Sequence, residues 1–98
     1  MPLITVPNTA SELIPKNTLR KSLLLLNEDG ANSVYVKRER SEATTVSATD
    51  HDHRIGPGAA FSLNSTLDGQ EWIVGRYTAI SSAENVSIAV FETEDIVR

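Results

Sequence analysis

The alternation of apolar and polar residues predicts that this chain folds into β-strands. It is clearest at positions 86–92, where Val86, Ile88 and Val90 recur with a period of two and are expected to face a hydrophobic core. The same period places Phe91 on the opposite face of that strand. A large aromatic side chain exposed there would indicate a surface that binds a partner.

Two further apolar runs flank a turn. Residues 19–26 end in consecutive leucines, and apolar character on both faces is typical of a strand in the middle of a sandwich, although a short buried helix has the same pattern. Residues 27–32 are rich in Asn, Asp and Gly, and Gly30 is expected to adopt a positive φ. Since the β-rich residues 33–37 follow, the two runs predict a hairpin.

The rest of the chain adds shorter strands between glycine-containing turns. Gly56 and Gly58 flank a proline in a tight turn, after which Phe61 and Leu63 fall on one face of the next strand. Gly75 divides a longer β-rich segment, which is either one strand or two strands kinked at that glycine. The strands predicted here span residues 43–48, 59–63 and 71–80.

Short strands at intervals of roughly ten residues are typical of a sandwich or barrel. The predicted fold class is therefore all-β: a single small β-sandwich or jelly-roll-like barrel. Pro2, Pro7 and Pro15 interrupt the start of the chain and favour extended backbone before them. We accordingly predict an extended N-terminal arm over residues 1–16 and a β-sandwich domain over residues 17–98.

Composition limits the classes of function. A chain of 98 residues suits one domain, and its 40% hydrophobic content excludes a wholly disordered protein. The net charge of −4 argues against nucleic acid as a partner, because phosphate binding requires concentrated Lys and Arg. The lack of cysteine excludes disulfides and thiolate chemistry. The run Leu23–Leu26 is too short to span a membrane, and no secretory signal is evident, so we expect synthesis in a cytoplasm.

The only candidates for metal chemistry lie in the sequence Asp-His-Asp-His at positions 50–53. On a strand, His51 and His53 would point to one face, as two ligands of a metal must, but nothing nominates a third ligand. A solvated loop tip is the simpler interpretation, and a metal-dependent enzyme or a pH-responsive contact are the alternatives. No Gly-x-Ser-x-Gly motif or phosphate loop is present. We predict no enzymatic activity, no cofactor and no bound metal.

Two basic clusters and the apolar residues of the arm are the candidates for contact with a partner. The first cluster is Lys16, Arg20 and Lys21, and the second is Lys37, Arg38 and Arg40. Each suits an acidic protein surface, or simply a charged sheet edge that discourages aggregation. The partner-binding residues predicted are Leu3, Ile4, Val6, Leu13, Ile14, Lys16, Arg20, Lys37, Arg38 and Arg40.

The order of these motifs resembles that of small virion proteins of tailed bacteriophages. In that group a leucine-rich strand that begins with arginine is followed by a strand with the sequence Val-Tyr-Val. A Gly-Pro-Gly turn, an aromatic strand and a final strand of alternating apolar residues come next. The resemblance covers roughly residues 19–92. The matching segments are Arg20–Asn27, Ser33–Val36, Ile55–Leu63, Trp72–Ile80 and Val86–Glu92.

The resemblance implies a non-enzymatic capsid decoration (cement) protein. Such a protein binds the outer face of an assembled phage head, so the expected partner is the major capsid protein, the expected location is the virion surface, and the expected assembly is a homotrimer. Binding to nucleic acid or membrane is not expected. The alternatives are a phage tail or neck accessory, a receptor (carbohydrate)-binding module that uses Trp72, Tyr77 or Tyr35, and a cytoplasmic interaction domain unrelated to phage.

Overall fold

The computed structural model describes residues 3–64, 70–82 and 85–94. In chain order the elements are β1 (Leu3–Val6), β2 (Ser11–Ile14), β3 (Arg20–Asn27), β4 (Val34–Glu39), β5 (His53–Ile55), β6 (Ala60–Asn64), α1 (Gln70–Val74), β7 (Arg76–Ser81) and β8 (Val86–Glu94).

Two antiparallel four-stranded sheets form a sandwich. The first sheet has the strand order β1-β8-β3-β6, and the second has the order β2-β7-β4-β5. Residues of each sheet alternate between the shared interior and the outer face, as the pleat requires. The prediction of a small all-β sandwich is confirmed.

The core lies between the two sheets and is made by the inward positions of both. On β8, Val86, Ile88 and Val90 are buried and Phe91 faces outward, as the alternation predicts, whereas Ala89 on the outer face is also buried. The inward side chains in the core are Val6, Leu13, Ile14, Leu23, Leu25, Val34, Val36, Ile55, Leu63, Ile73, Tyr77, Ala79, Val86, Ile88 and Val90.

The N-terminal segment supplies one edge strand to each sheet. Strand β1 pairs with β8 in the first sheet, and β2 pairs with β7 in the second. Pro7 and Pro15 follow the ends of these strands, where a missing N–H breaks no ladder. Residues 3–6 and 11–14 of this segment are therefore strands paired inside the domain. Alternation along β1 buries Val6, whereas the consecutive Leu13 and Ile14 are both buried at the register irregularity of β2 between Glu12 and Ile14.

The predicted hairpin between residues 19–26 and 33–37 is wrong. Strand β3 lies in the first sheet and β4 in the second, so the connection crosses from one sheet to the other. The buried side chain of Asn27 holds this crossing: its amide nitrogen donates to the carbonyl oxygens of Asn32, Ile55 and Gly56 at 2.8, 3.1 and 3.1 Å. The positive φ, 69°, belongs to Gly58 in the next turn and not to Gly30.

Two other local predictions need correction. Residues 43–48 form no strand beyond an isolated bridge between Ser47 and Asp50. The segment 71–80 does break at Gly75, but the short helix α1 precedes the break instead of a strand. The Tyr77 hydroxyl donates to the Trp72 carbonyl at 2.7 Å and ties this helical turn to β7.

Candidate interaction surfaces

The outer face of the first sheet is an uncharged apolar surface. Residues paired directly across antiparallel strands share a face, so the register of β3 with its neighbours defines it. Phe91 is 40% exposed and Leu3 is 61% exposed, while Leu24 and Leu26 are half-buried beside them. Two rows of residues cross the middle of this face: Leu3–Ala89–Leu26–Ala60 and Phe91–Leu24–Ser62.

Small hydroxyl residues border the two rows. Ser22 and Thr93 share a hydrogen bond of 2.6 Å at one end, and Thr5 pairs with Ser87 at the other. No paired strand position on this outer face carries a charge, whereas 22% of the whole chain is charged. The exposed Phe91 agrees with the alternation in the sequence, and its neighbours extend it into a continuous patch.

The outer face of the second sheet is different, because the segment 40–52 lies over it. Val46 of that segment is only 3% exposed. Lys37 donates to Asp50 and to the Thr45 hydroxyl, both at 2.7 Å, and Arg76 donates to backbone oxygens of the same segment. The hydrogen bond to Asp50 raises the pKa of Lys37. This face is therefore already covered by the chain itself.

The structure separates the predicted partner-binding residues into two groups. Val6, Leu13, Ile14 and Arg20 are buried, so these four side chains are not available to a partner of the folded chain. Val6, Leu13 and Ile14 pack in the hydrophobic core of the domain. The partly or fully exposed members are Leu3, Ile4, Lys16, Lys37, Arg38 and Arg40.

Arg20 is an internal clamp. Its side chain is 0% exposed and its Nε donates to Glu92 at 2.6 Å. The terminal nitrogens donate to the carbonyls of Ile73, Gly75 and Pro15 at 2.8–2.9 Å. One guanidinium therefore joins the end of β8, the end of α1 and the segment before β3. In the sequence Arg20 falls in one cluster with Lys16 and Lys21, which are both exposed. It differs from them because it is the first residue of β3 and its side chain faces the interior.

A cavity of about 470 Å³ lies beside the end of α1. We call it the basic cavity. Arg76 in its wall is bound to Glu12 at 2.8 Å and to Thr44 at 2.9 Å. Lys16 and Arg40 are exposed and form no ion pair with any residue in the described ranges. The charged residues that line the cavity are Lys16, Arg38, Glu39, Arg40, Glu42 and Arg76.

Glu39 in this wall is occupied by internal hydrogen bonds. Its carboxylate accepts from the Thr45 backbone N–H at 2.7 Å and from the Thr78 hydroxyl at 3.0 Å. Burial raises the pKa of this carboxyl, but the hydrogen bonds from Thr45 and Thr78 and the charge of Lys37 outweigh that effect and lower the pKa below its usual 4.5. Glu39 is therefore ionised at neutral pH, and several of its acceptor positions are already filled.

We expect Glu39→Gln to destabilise the protein by about 1–3 kcal/mol at pH 7, because the amide keeps only one acceptor oxygen and loses the negative charge that faces Lys37. A lowered pKa in the folded state gives stability that is present above the ordinary value of 4.5 and is lost as the pH falls through the lower value. Urea unfolding from pH 7 to pH 3 should thus show the gap between the two proteins closing. The exposed Glu42→Gln serves as control, and a gap that stays constant with pH would contradict the assignment.

A second cavity, the aromatic cleft, has a volume of about 340 Å³ and lies where the two sheets part. It is lined by His53, Phe61, Ser62, Leu63 and Trp72. The rings of His53 and Phe61 lie 4.2 Å apart between centroids, and the Trp72 ring meets His53 edge-on at 6.3 Å. Strands β5 and β6, which carry four of these residues, are edge strands of different sheets.

The other aromatic residues considered for carbohydrate binding are not open platforms. Tyr77 is 0% exposed and belongs to the core. Tyr35 is half-buried and packs against the His51 ring at 4.7 Å.

The two histidines contact different aromatic rings. His51 packs on Tyr35 and its Nδ1 lies 3.1 Å from the Ser47 carbonyl oxygen, whereas His53 lies on the inward side of β5 against Phe61. His51 precedes β5 and is not part of a strand, so the condition under which both side chains would point to one face is not met. Among the described residues, no group of three His, Cys, Asp or Glu side chains is placed to hold a metal.

Comparison with protein-family models finds no match to this chain, and neither curated proteins nor solved structures show a significant similarity. In the described part of the chain, no helix has the length and apolarity needed to cross a membrane. Function is therefore inferred from the surfaces of the molecule.

Proposed function

We propose that this protein is a non-enzymatic structural module that binds other proteins through the uncharged outer face of its first sheet. The observation that carries the proposal is the continuous patch around Phe91, Leu3, Leu24 and Leu26. An exposed apolar patch bordered by small polar residues is typical of a protein-binding surface. The opposite sheet is covered by the chain's own segment 40–52, which leaves the first sheet as the open one.

In its narrower form the proposal is a capsid decoration protein whose partner is the major capsid protein. The small area of the patch suits a partner that presents many copies of the same binding site. Four strands about 4.8 Å apart and about five residues long give a flat area of roughly 300 Å², less than the ~800 Å² per partner of a standard interface. A single contact of this size is weak, but repetition on a symmetric shell, with the protein as a homotrimer, turns it into firm attachment.

Charge supports the same assignment of surfaces. The chain carries a net charge of −4, so a charged docking face would depend on a partner of opposite sign. An uncharged face docks by burial of apolar area and is insensitive to salt. We therefore expect attachment that persists at high ionic strength.

The test is quantitative mass spectrometry of virions from the phage or prophage that carries the gene. A copy number equal to that of the major capsid protein, or a simple fraction of it, is the expected result. A handful of copies per particle would move the protein to the neck or tail. Absence from the particle would overturn the virion assignment.

Two charge substitutions test the docking face directly. Phe91→Lys and Leu3→Lys place a cation on exposed positions of the patch and should reduce co-sedimentation with purified heads at least about tenfold. Leu19→Lys is the matched control, because Leu19 is 47% exposed but lies before β3 and outside the patch. Equal loss in all three variants, or no loss in the first two, would contradict docking through this face.

A further inference from the structure

The basic cavity and the aromatic cleft meet at one pair of side chains. The Arg38 guanidinium lies 4.7 Å from the centre of the Trp72 ring. Arg38 lines the basic cavity and Trp72 lines the aromatic cleft. The short helix α1 also contributes to both, with Trp72 on one side and Val74 on the other. A ligand that passes over this pair therefore contacts both cavities in succession.

The basic cavity concentrates positive charge on an acidic protein. Four of the nine Lys and Arg residues of the chain line it against two carboxylates, Glu39 and Glu42, so the lining is net positive although the chain as a whole carries −4. Arg76 is already held by Glu12, and the acceptors of Glu39 are turned to Thr45 and Thr78. The cations available to a ligand are then Lys16 and Arg40, both exposed. This arrangement suits carboxylates.

The aromatic cleft suits an apolar side chain. Its wall combines the half-buried rings of His53, Phe61 and Trp72 with the buried Leu63. The volume of about 340 Å³ is at the lower end of the range for ligand pockets, about 300–1,000 Å³. Trp and Arg are also the residue types that most often dominate the energy of a protein interface.

We propose that the two cavities together bind an extended acidic segment of a partner protein. An apolar side chain of that segment enters the aromatic cleft, and carboxylates on neighbouring residues meet Lys16 and Arg40. A sugar is a poorer occupant, because one face of Trp72 is covered by Arg38 and its ring meets His53 edge-on. Nucleic acid is disfavoured by the net charge of −4. The inference goes beyond the proposed docking face, and the two sets of residues share only Ser62, which lies at the border of both.

Trp72 provides a direct readout, since it is the only tryptophan of the chain. The probe is a synthetic hexapeptide of alternating glutamate and leucine, titrated against intrinsic fluorescence and against amide NMR shifts. A saturable change is expected at millimolar or lower concentration, with shifts confined to residues around Trp72 and Arg40. The same peptide with lysine in place of glutamate, or serine in place of leucine, should bind at least about tenfold more weakly.

Substitutions inside and outside the two cavities test whether the peptide binds at this site. Lys16→Glu combined with Arg40→Glu should weaken the peptide at least about tenfold, and Phe61→Ser should do the same through the cleft. Lys21→Glu is the matched control, because Lys21 is exposed and lines neither cavity. Phe91→Lys should leave peptide binding unchanged, so failure of the proposed docking face and failure of this site are distinguishable. Circular dichroism confirms that each variant is folded.

Three outcomes would overturn the proposal. The first is no saturation up to about 10 mM peptide. The second is equal binding of citrate or phosphate without dependence on leucine, which would mean an adventitious ion only. The third is glycan binding on an array that is lost in Trp72→Ala while the acidic peptide does not bind, which would make the cleft a carbohydrate site.

Discussion

Arg20→Met is expected to lower the free energy of unfolding by about 3–5 kcal/mol, a large part of the stability of a domain of this size. Methionine fills much of the space of the arginine stem but offers no donor. The carboxylate of Glu92 and the carbonyls of Pro15, Ile73 and Gly75 lose their partner, and two of these hydrogen bonds are fully buried. Each unsatisfied buried acceptor costs about 1–3 kcal/mol.

Urea unfolding measured by circular dichroism checks this result. Arg20→Lys retains the charge but cannot reach four acceptors with one ammonium group, so it should also be strongly destabilised. Arg54→Ala, at an exposed position of β5, is the control and should stay within about 0.5 kcal/mol of the parent. A loss below about 1 kcal/mol in Arg20→Met would show that the clamp contributes little net stability.

Asn27→Asp is expected to cost about 3 kcal/mol or more at pH 7, although it changes no more than one group of the side chain. The Asn27 amide nitrogen donates to three backbone carbonyls, and the side chain is 0% exposed. An aspartate oxygen in the same place would face those carbonyl oxygens with a buried negative charge. The connection between the two sheets would lose its anchor.

The pH dependence of Asn27→Asp has a definite sign. Burial and the three carbonyls disfavour the ionised form, so the pKa of the new carboxyl in the folded state should rise above its unfolded value. The protonated form can donate one hydrogen bond, so the variant should approach the parent protein in stability as the pH falls. Asn8→Asp, exposed between β1 and β2, is the control. A gap that widens on acidification would contradict the orientation of the Asn27 side chain.

The sequence predicted those features that depend on short-range alternation. The period of two in β8 correctly divided Val86, Ile88 and Val90 from Phe91, and Phe61 and Leu63 of β6 share the inward face as expected. The glycine at position 75 marked a real break in the backbone. The exposed aromatic side chain of β8, on which the proposed docking face rests, was therefore predictable from the alternation alone.

Features that depend on which strands pair were not predictable in this way. The hairpin failed because a Gly-containing turn looks the same whether the chain returns to its own sheet or crosses to the other one. The side chain that decides the crossing, Asn27, makes its bonds to residues 28 and 29 positions further along the chain. Arg20 likewise resembled an exposed cation, since its acceptors at positions 73 and 75 are remote in sequence.

The candidate sites show the same division. The basic residues Lys16 and Arg40 were recognised as possible contacts, but their meeting in one cavity with Arg76 depends on the path of segment 40–52 over the second sheet. The aromatic cleft was not predicted at all, because His53, Phe61 and Trp72 come from three separate elements. The residue types of a segment indicate which ligands it can bind. The strand topology determines which other segments lie next to it.

The strand order also has a consequence for synthesis on the ribosome. Among the described strands, β1, which is earliest in the sequence, pairs with β8, which is latest, and β2 pairs with β7. Neither sheet can be completed until nearly the whole described chain has left the ribosomal exit tunnel. Strands β1 and β2 therefore remain unpaired while translation proceeds. Folding of this domain is therefore expected to wait for synthesis of β8 and to be slow for the size of the domain, as in other folds dominated by pairing between distant parts of the chain. During that interval the unpaired edges of these strands are exposed to pairing between nascent copies.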